Sequence, residues 1–463
     1  MSTKSLGGPA TRTAAATEFE RARDRLARRL ATAPAGERVR LAKRSSNLFR
    51  FRAPIRGVEI DASPFARVLS IDAAARIAEV GGMTTYEDLV DAALAHGLMP
   101  LVVPQLKTIT LGGAVAGVGI ESTSFRSGLP HESVLEAEVV TGAGDVVLAT
   151  PDGPNADLYY GLPNSYGTLG YAARLRIELA PVSPFVHLRH VRFGSAGELV
   201  AAIGDVFANR DAVVFMDGVS FSPDELYLTL GEMVESAPYS SDYTGSRIYY
   251  RSIPSRGEDY LSIRDYIWRW DADWFWCSRA FGVQQPLVRA LWPRRMRRSD
   301  VYWRLVALDA RYGVSRRLDR ARRRPPTERV IQDVEIPLDR TAEFLSFLDE
   351  QTGQRPVWIC PFRQRSASTT WPLFPLDPGG LYVNVGFWGT APLPAGAVDG
   401  FHNRAIEQKV AALGGAKSLY STSYYDRETF WSRYGGEAYR ELKRRYDPAG
   451  RLLDLYDKTI RGQ

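Results

Sequence analysis

The stretch Pro104–Val140, PQLKTITLGGAVAGVGIESTSFRSGLPHESVLEAEVV, constrains this chain more than any other part of it. Gly112, Gly113, Gly117, Gly119 and Gly128 stand among small and apolar neighbours, and Gly142 follows just beyond. A second group, Gly167-Thr168-Leu169-Gly170, sits in DLYYGLPNSYGTLGYAARLRIEL. Glycine has no Cβ, so its backbone can approach a ligand or another backbone closely, with the N–H unobstructed. Two uses fit this pattern: tight turns alone, or a surface for a long, partly anionic cofactor.

A nicotinamide-dinucleotide fingerprint does not fit. That motif needs a strand, then G-x-G-x-x-G, then a helix. Here the spacing is G-G-x-x-x-G-x-G, and a helix rather than a strand precedes it. Thr84-Thr85-Tyr86-Glu87 reads as a capping box opening TTYEDLVDAALAHGL, with Gly97 placed to end it.

The order of pieces resembles the PCMH-type FAD-binding domain of the vanillyl-alcohol-oxidase superfamily. The pieces are a strand pair (VLSIDAAARIAEVGG), the capped helix, a proline turn, TLGG, Gly119-Ile120-Glu121-Ser122, a strand (ESVLEAEVVTGAGDVV), and the D-L-Y and G-T-L-G signatures. Within the superfamily, Gly128-Leu129-Pro130-His131, Val330-Ile331-Gln332-Asp333, Pro356 to Phe362, Leu381 to Gly386 and the tail from Leu419 to Lys458 look like the sterol Δ24-reductase branch. VRLAKRSSNLFR, YEDLV, GLMPLVVPQLKTITLGGAV and SFRSGLPHESVLE are also similar to bacterial reductases that convert 10-methylene to 10-methyl (tuberculostearic-type) fatty acyl chains.

The resemblance implies an α+β fold: a PCMH-type FAD-binding domain of two α+β subdomains, plus an α+β cap domain built on an antiparallel sheet. The expected division is an unstructured N-terminus (1–17), a leading helix (18–36), the FAD-binding domain (37–182), a substrate or cap domain (183–445) and a C-terminal segment returning to the first domain (446–463). It also implies an FAD-dependent, NADPH-driven reductase of an isolated carbon–carbon double bond in a lipid. A 10-methylene fatty acyl chain leads as substrate, and a sterol Δ24-type alkene is the alternative. An alcohol or sugar oxidase, the commoner chemistry of the superfamily, and a lipid- or partner-binding protein with structural FAD stand as other readings. Functional pairing with a lipid methyltransferase follows from the lead substrate.

Cofactor contacts are expected from Lys43, Arg44, Ser45, Ser46 and Asn47, where the family's first pyrophosphate loop lies. That loop has no histidine or cysteine, so the FAD should be non-covalent. Thr110, Leu111, Gly112 and Gly113 should share the pyrophosphate. Gly117, Gly119, Ile120, Glu121, Ser122 and Ser124 should follow the ribityl chain and ring, and Gly167, Thr168 and Gly170 the adenine side. An isolated alkene accepts hydride only after protonation, so an acid and a dry pocket are needed. Glu121, His131, Tyr420 and Tyr424 are the candidate catalytic residues, with Tyr425, Lys417 and Asn384 behind them. A structural histidine and packed tyrosines read equally well from the same residues.

Composition narrows the rest. Two cysteines, Cys277 and Cys360, exclude a disulfide framework and a thiolate metal site, so no metal and a reducing, cytoplasmic compartment are expected. No run of about 18 uncharged apolar residues offers a membrane span. The net charge of +6 is concentrated: Trp292 to Pro325 is dense in arginine, beside Trp268, Trp270, Trp274, Phe275 and Trp276. Either the tryptophans are cap-domain core under a solvated arginine face, or the segment meets an anionic membrane at the inner face of the cell membrane. Nucleic acid is not an expected partner, because no nucleic-acid fold accompanies the patch.

Overall fold

The computed structural model of the protein describes residues 9–34, 37–42, 49, 57–209, 212–312, 325–374 and 376–460. Three sheets organise them. β1 (Arg38–Ala42) and β2 (Gly57–Asp61) form a parallel pair. β3 (Val68–Asp72), β4 (Ile77–Gly81), β5 (Leu98–Pro100), β6 (Val134–Thr141), β7 (Val146–Ala149) and β8 (Gly170–Pro181) make an antiparallel sheet in the order β3-β4-β8-β6-β7. β5 joins β8 at the C-terminal end of that strand. β8 is the axis of the sheet: its sequence alternates, burying Leu175, Ile177 and Leu179 while Arg174, Arg176 and Glu178 stay half-buried.

Three helices set the geometry of this half. α1 (Pro9–Thr32) lays Phe19, Leu26 and Leu30 against Val39, Phe65 and Val140. It begins well inside the segment expected to lack structure; the alanine-rich ATRTAAATEFE has the propensity to continue the helix upstream. α2 (Tyr86–Leu94) opens one residue later than the sequence implied. Thr85 is the N-cap, accepting from the Asp88 N–H at 3.2 Å, while the buried Thr84 gives its carbonyl to the Leu111 N–H. α3 (Leu111–Gly117) follows, inside the glycine run. The Gly112 N–H donates to Gly82 O at 2.8 Å, and the Gly82 N–H donates to Ala173 O at 2.9 Å. A Cβ on Gly82 would collide with the Ala172 carbonyl, and one on Gly112 would lie 2.7 Å from Gly82 O. Glycine is therefore required where β4, α3 and β8 meet backbone to backbone.

At Val182–Pro184 the chain passes to an eight-stranded antiparallel sheet. Its strands are β9 (Phe185–Phe193), β10 (Phe215–Ser222), β11 (Glu225–Val234), β12 (Glu258–Ser262), β13 (Thr327–Pro337), β14 (Val357–Arg363), β15 (Leu381–Pro392) and β16 (Ala416–Lys417), in the order β12-β9-β11-β10-β14-β15-β13-β16. Successive side chains point to opposite faces, and the two faces differ in kind. Val330, Val334, Ile336, Val383, Val385 and Phe387 pack against the helices Ala196–Asn209, Thr341–Thr352 and Phe401–Ala412. The alternate positions, Asp333, Glu335, Trp358, Cys360, Asn384 and Trp388, fall on the other face, toward the first domain. This is the α+β arrangement expected, with helices on one face of an antiparallel cap sheet.

The C-terminal residues return to the first sheets. The Val39 N–H donates to Arg451 O, Lys443 Nζ donates to Thr168 O, and Lys458 Nζ donates to Tyr166 O. Among the described residues, no helix is long and apolar enough to cross a membrane. Thr85→Ala removes a helix cap from the element that braces the glycine run. It should cost about 1 kcal/mol, read as a lower urea midpoint at unchanged slope.

Candidate active site

A cavity of about 1450 Å³ lies between the two larger sheets. Ordinary small-molecule pockets hold ~300–1,000 Å³, so there is room here for more than one occupant. One part of its lining is β1 together with a run of small residues, Gly82, Thr110, Gly112, Gly113, Gly117, Gly119, Gly167 and Gly170, and Ile120. In another part, Gln105, Glu121, Asp333, Asn384 and Tyr420 stand among Trp274, Phe275, Trp358 and Trp388.

The aromatic part is tightly built. Phe275 lies 4.5 Å from Trp388 and 5.3 Å from Trp358, centroid to centroid. Trp268, Trp270, Trp274 and Trp276 are all buried, so the tryptophan cluster is core and cavity wall rather than surface. The Trp388 indole N–H donates to the Tyr420 hydroxyl at 2.7 Å. That leaves the Tyr420 proton for Asp333, which Tyr420 and Asn384 both contact. Gly386 stands opposite Asp333 in the β13–β15 pairing, and only the missing side chain lets the Asp333 carboxyl and the Trp388 ring share that space.

Burial decides the charge of the two cavity carboxyls. Desolvation pushes Asp333 up to about 7, against opposing hydrogen bonds from Tyr420 and Asn384. Desolvation pushes Glu121 up to about 8, opposed by the nearby Arg269 charge and hydrogen bonds from Gln105 and the Ser122 N–H. Arg269 cannot neutralise Glu121 fully, because it is held by Asp217 at 2.6 Å. Asp217 also accepts from the Trp270 and Trp358 indoles. Both carboxyls are thus substantially protonated near neutral pH.

The fit to FAD rests on this chain's own atoms. The glycine-rich part offers close approach. Gln105 Oε1, Asp333 Oδ1 and Asn384 Oδ1 are buried, belong to cavity-lining residues and have no hydrogen-bond partner among the described residues. Two unmet amide acceptors and an unpartnered carboxyl oxygen suit an occupant that carries both donors and acceptors, as a flavin and its ribityl chain do.

The cavity brings together Glu121, Tyr420, Asn384, Thr110, Gly112, Gly113, Gly117, Gly119, Ile120, Gly167 and Gly170 from the sequence reading. It leaves others out. His131 is buried outside the cavity lining with neither ring nitrogen hydrogen-bonded, its ring 4.3 Å from that of Trp371; burial pushes it down to about 3, so the imidazolium form that would act as an acid is disfavoured near neutral pH. Tyr424 lies outside, contacting Asp399 and Arg404. Tyr425 packs on Tyr434, and Lys417 is paired with Glu407 at 3.2 Å. Leu111 is core. Ser122, Ser124 and Thr168 do not line the cavity: Ser122 and Ser124 brace Glu121, and Thr168 bonds Ser165 O. The expectation that backbone N–H groups at the start of α3 face a pyrophosphate is corrected too. Those of Leu111, Gly112 and Gly113 are taken by Thr84 O, Gly82 O and Thr110 Oγ1. Lys43, Arg44, Ser45, Ser46 and Asn47 lie outside the described residues. Among the described residues no cluster could hold a metal ion.

Asp333, Trp388, Gln105 and Tyr166 were not singled out from sequence as site residues, and Trp274 and Phe275 were read there as core or membrane-facing aromatics, not as cavity wall. The signal for Asp333 was present: in V-I-Q-D-V-E-I, Asp333 and Glu335 alternate with the apolar positions of a strand.

Comparison with known proteins agrees with this geometry. A family model described as an FAD binding domain matches residues 22–150. The chain is 26% identical over 420 residues to a Δ24-sterol reductase of Homo sapiens, covering 85% of this chain and 76% of that protein. It is 25% identical over 446 residues to a Δ24-sterol reductase of Arabidopsis thaliana, covering 88% and 77%. Cytokinin dehydrogenase 2 of Oryza sativa subsp. japonica is 34% identical over 128 residues, 28% of this chain and 22% of that protein.

Gly386→Ala should force the Asp333 carboxyl and Trp388 ring apart. The expected cost is ~1–3 kcal/mol in denaturant unfolding, with the visible flavin absorbance of the folded protein retained.

Proposed function

Because this chain belongs to the vanillyl-alcohol-oxidase superfamily of FAD-dependent oxidoreductases, in its sterol Δ24-reductase-like branch, we propose that it saturates an isolated carbon–carbon double bond in a lipid. The observation that carries this reading is the pair of buried carboxyls, Glu121 and Asp333, set against an aromatic wall, each shifted by desolvation toward its protonated form. An alcohol oxidase needs a base at its substrate carbon. An alkene without a conjugated carbonyl needs an acid first, and then protection of the resulting cation from water.

The residues divide that work. Asp333 donates its proton to the terminal or less substituted alkene carbon, leaving a tertiary cation. Tyr420, fixed by the Trp388 indole, holds the carboxyl in place and returns a hydrogen bond to the carboxylate formed. Trp274, Phe275, Trp358 and Trp388 exclude water and face the cationic carbon with ring electrons. Glu121, neutral through burial, keeps charge away from the loop beside the glycine surface. Reduced FAD, held non-covalently, would supply the hydride that completes saturation.

The lead substrate is a 10-methylene fatty acyl chain, supported by the Gly97-to-Val115 and Ser124-to-Glu136 motifs. A sterol side-chain alkene is the second, supported by the names of the relatives; both give tertiary cations. NADPH is the proposed reductant and a lipid methyltransferase the source of the methylene.

Asp333→Asn should lower single-turnover saturation by about 10²–10⁴-fold while flavin content and flavin reduction by NADPH persist. A loss of that size at Glu121→Gln instead would move the acid role to Glu121. Since the Asp333 carboxyl is raised to about 7, the donor form is full below that pH, and the wild-type rate should fall as pH rises through 7. The deciding experiment is anaerobic bleaching of the flavin by NADPH, then reoxidation by a methylene-branched lipid with the methyl product identified. Rapid oxygen turnover with an alcohol, and no reoxidation by any alkene lipid, would sink the reading. Acid precipitation should release all the flavin to solution.

A further inference from the structure

The outer side of the aromatic cavity wall is formed by the helix Pro286–Leu291, the turn Arg294–Met296 and the helix Ser299–Tyr312. The inner side of this unit is closed. Trp274, Cys277 and Trp303 line the cavity, while Val283 and Tyr302 pack with Trp274 and hold the helices to it. Arg289 is buried on Asp273, and buried Arg297 donates to the carbonyls of Gly245 and Trp292, so part of the arginine-rich segment is internal scaffolding. The Trp292 ring stacks on Tyr302, and its indole donates to Met296 O.

The outer side is different. Leu287 and Leu291, one turn apart, are 82% and 85% exposed, the two highest values among the exposed large hydrophobic residues. Val288, Met296 and Leu308 are exposed beside them. Exposed Arg279, Arg294, Arg295 and Arg304 belong to the same unit. From Arg279 to Tyr312 the chain has eight arginines against two aspartates and no other formal charge, a net +6 that equals the +6 of the whole chain. Aliphatic side chains flanked by guanidinium groups match a lipid headgroup boundary that carries negative charge. The charge that faces outward is that of Arg279, Arg294, Arg295 and Arg304, of which Arg294 and Arg304 lie in exposed pairs with Asp242 and Asp300. Two copies of this face would still set basic residues against basic residues, which disfavours self-association as the explanation of the exposed leucines.

The geometry points to this unit as the docking face for an anionic phospholipid bilayer, with Leu287 and Leu291 entering the headgroup region and Arg294, Arg295 and Arg304 meeting phosphate. The tryptophans play no part in the contact. A lipid-exposed face backing directly onto the cavity wall shortens the path by which an acyl chain leaves the bilayer for the site. That consequence rests on the proposed lipid substrate, whereas docking is measured without turnover, so either can fail alone.

Flotation of the FAD-loaded full chain with vesicles of phosphatidylglycerol and phosphatidylcholine, and with phosphatidylcholine alone, tests it. Binding should require phosphatidylglycerol and weaken at about 1 M salt, where the screening length falls to ~3 Å. Leu287→Asp combined with Leu291→Asp, and separately Arg294→Glu combined with Arg295→Glu, should each reduce vesicle-bound protein by about tenfold or more. Flavin content and thermal midpoint should stay unchanged. Absence of wild-type binding to anionic vesicles would overturn the assignment. So would undiminished binding by both folded variants, or a wild-type dimer that the leucine variant splits to monomers.

Discussion

A carboxyl in a dry cavity must give up either its isolation or its charge, and this protein uses both solutions a few residues apart. Asp217, Asp273 and Glu407 are paired with Arg269, Arg289 and Lys417. Asp333 and Glu121 have no such cation bonded to them, and desolvation holds them protonated near neutral pH. The difference fixes what each group can do. A paired carboxylate anchors the wall: Asp217 collects two indoles and a guanidinium, so the tryptophans cannot rotate away from the cavity. An unpaired, neutral carboxyl can give a proton to something placed against it.

The cap sheet makes that division possible. Its alternation sends valines, isoleucines and phenylalanines to the helices, and Asp333, Asn384, Trp358 and Trp388 to the cavity. Asp333, the acid of the proposed reaction, is thus mounted on an eight-stranded sheet whose other face packs on helices, instead of on the glycine-rich loop. Gly386 and Gly82 do parallel jobs in the two domains. Each lacks a side chain where its neighbours must close: a carboxyl and an indole in one case, three backbone segments in the other.

Much of this was legible in the sequence. The strand pair, the capped helix and the glycine run follow from local chemistry (alternation, a threonine cap, glycine clusters), whereas the return of the C-terminal residues came from the family resemblance. Glu121 and Tyr420 could be named because they lie in distinctive motifs. Asp333 was passed over because its meaning depends on partners distant in sequence: Tyr420, Asn384 and Trp388 converge on it only when β13, β15 and the segment after β16 are assembled. His131 lies outside the cavity lining for a related reason. Its position after the glycine loop is real, but its ring turns toward Trp371, and no local pattern records that direction. The glycines were read correctly as signs of close approach, yet at Gly82 and Gly112 the approaching group is backbone.

The tryptophan- and arginine-rich segment shows why composition alone leaves two readings standing. Aromatic and basic residues within one stretch suit both a buried core and a membrane surface, and this segment sorts them by residue type. Rings and selected arginines go inward, where each buried guanidinium meets a carboxylate or several carbonyls. Leu287, Leu291, Arg279, Arg294, Arg295 and Arg304 go outward. An arginine whose donors are filled by carbonyls contributes nothing to a surface field at contact range, whereas one beside an exposed leucine can pair its charge with a phosphate while its neighbour loses water. The informative quantity is therefore the company each residue keeps after folding, and it places the exposed, charged side of this wall opposite the side that lines the cavity.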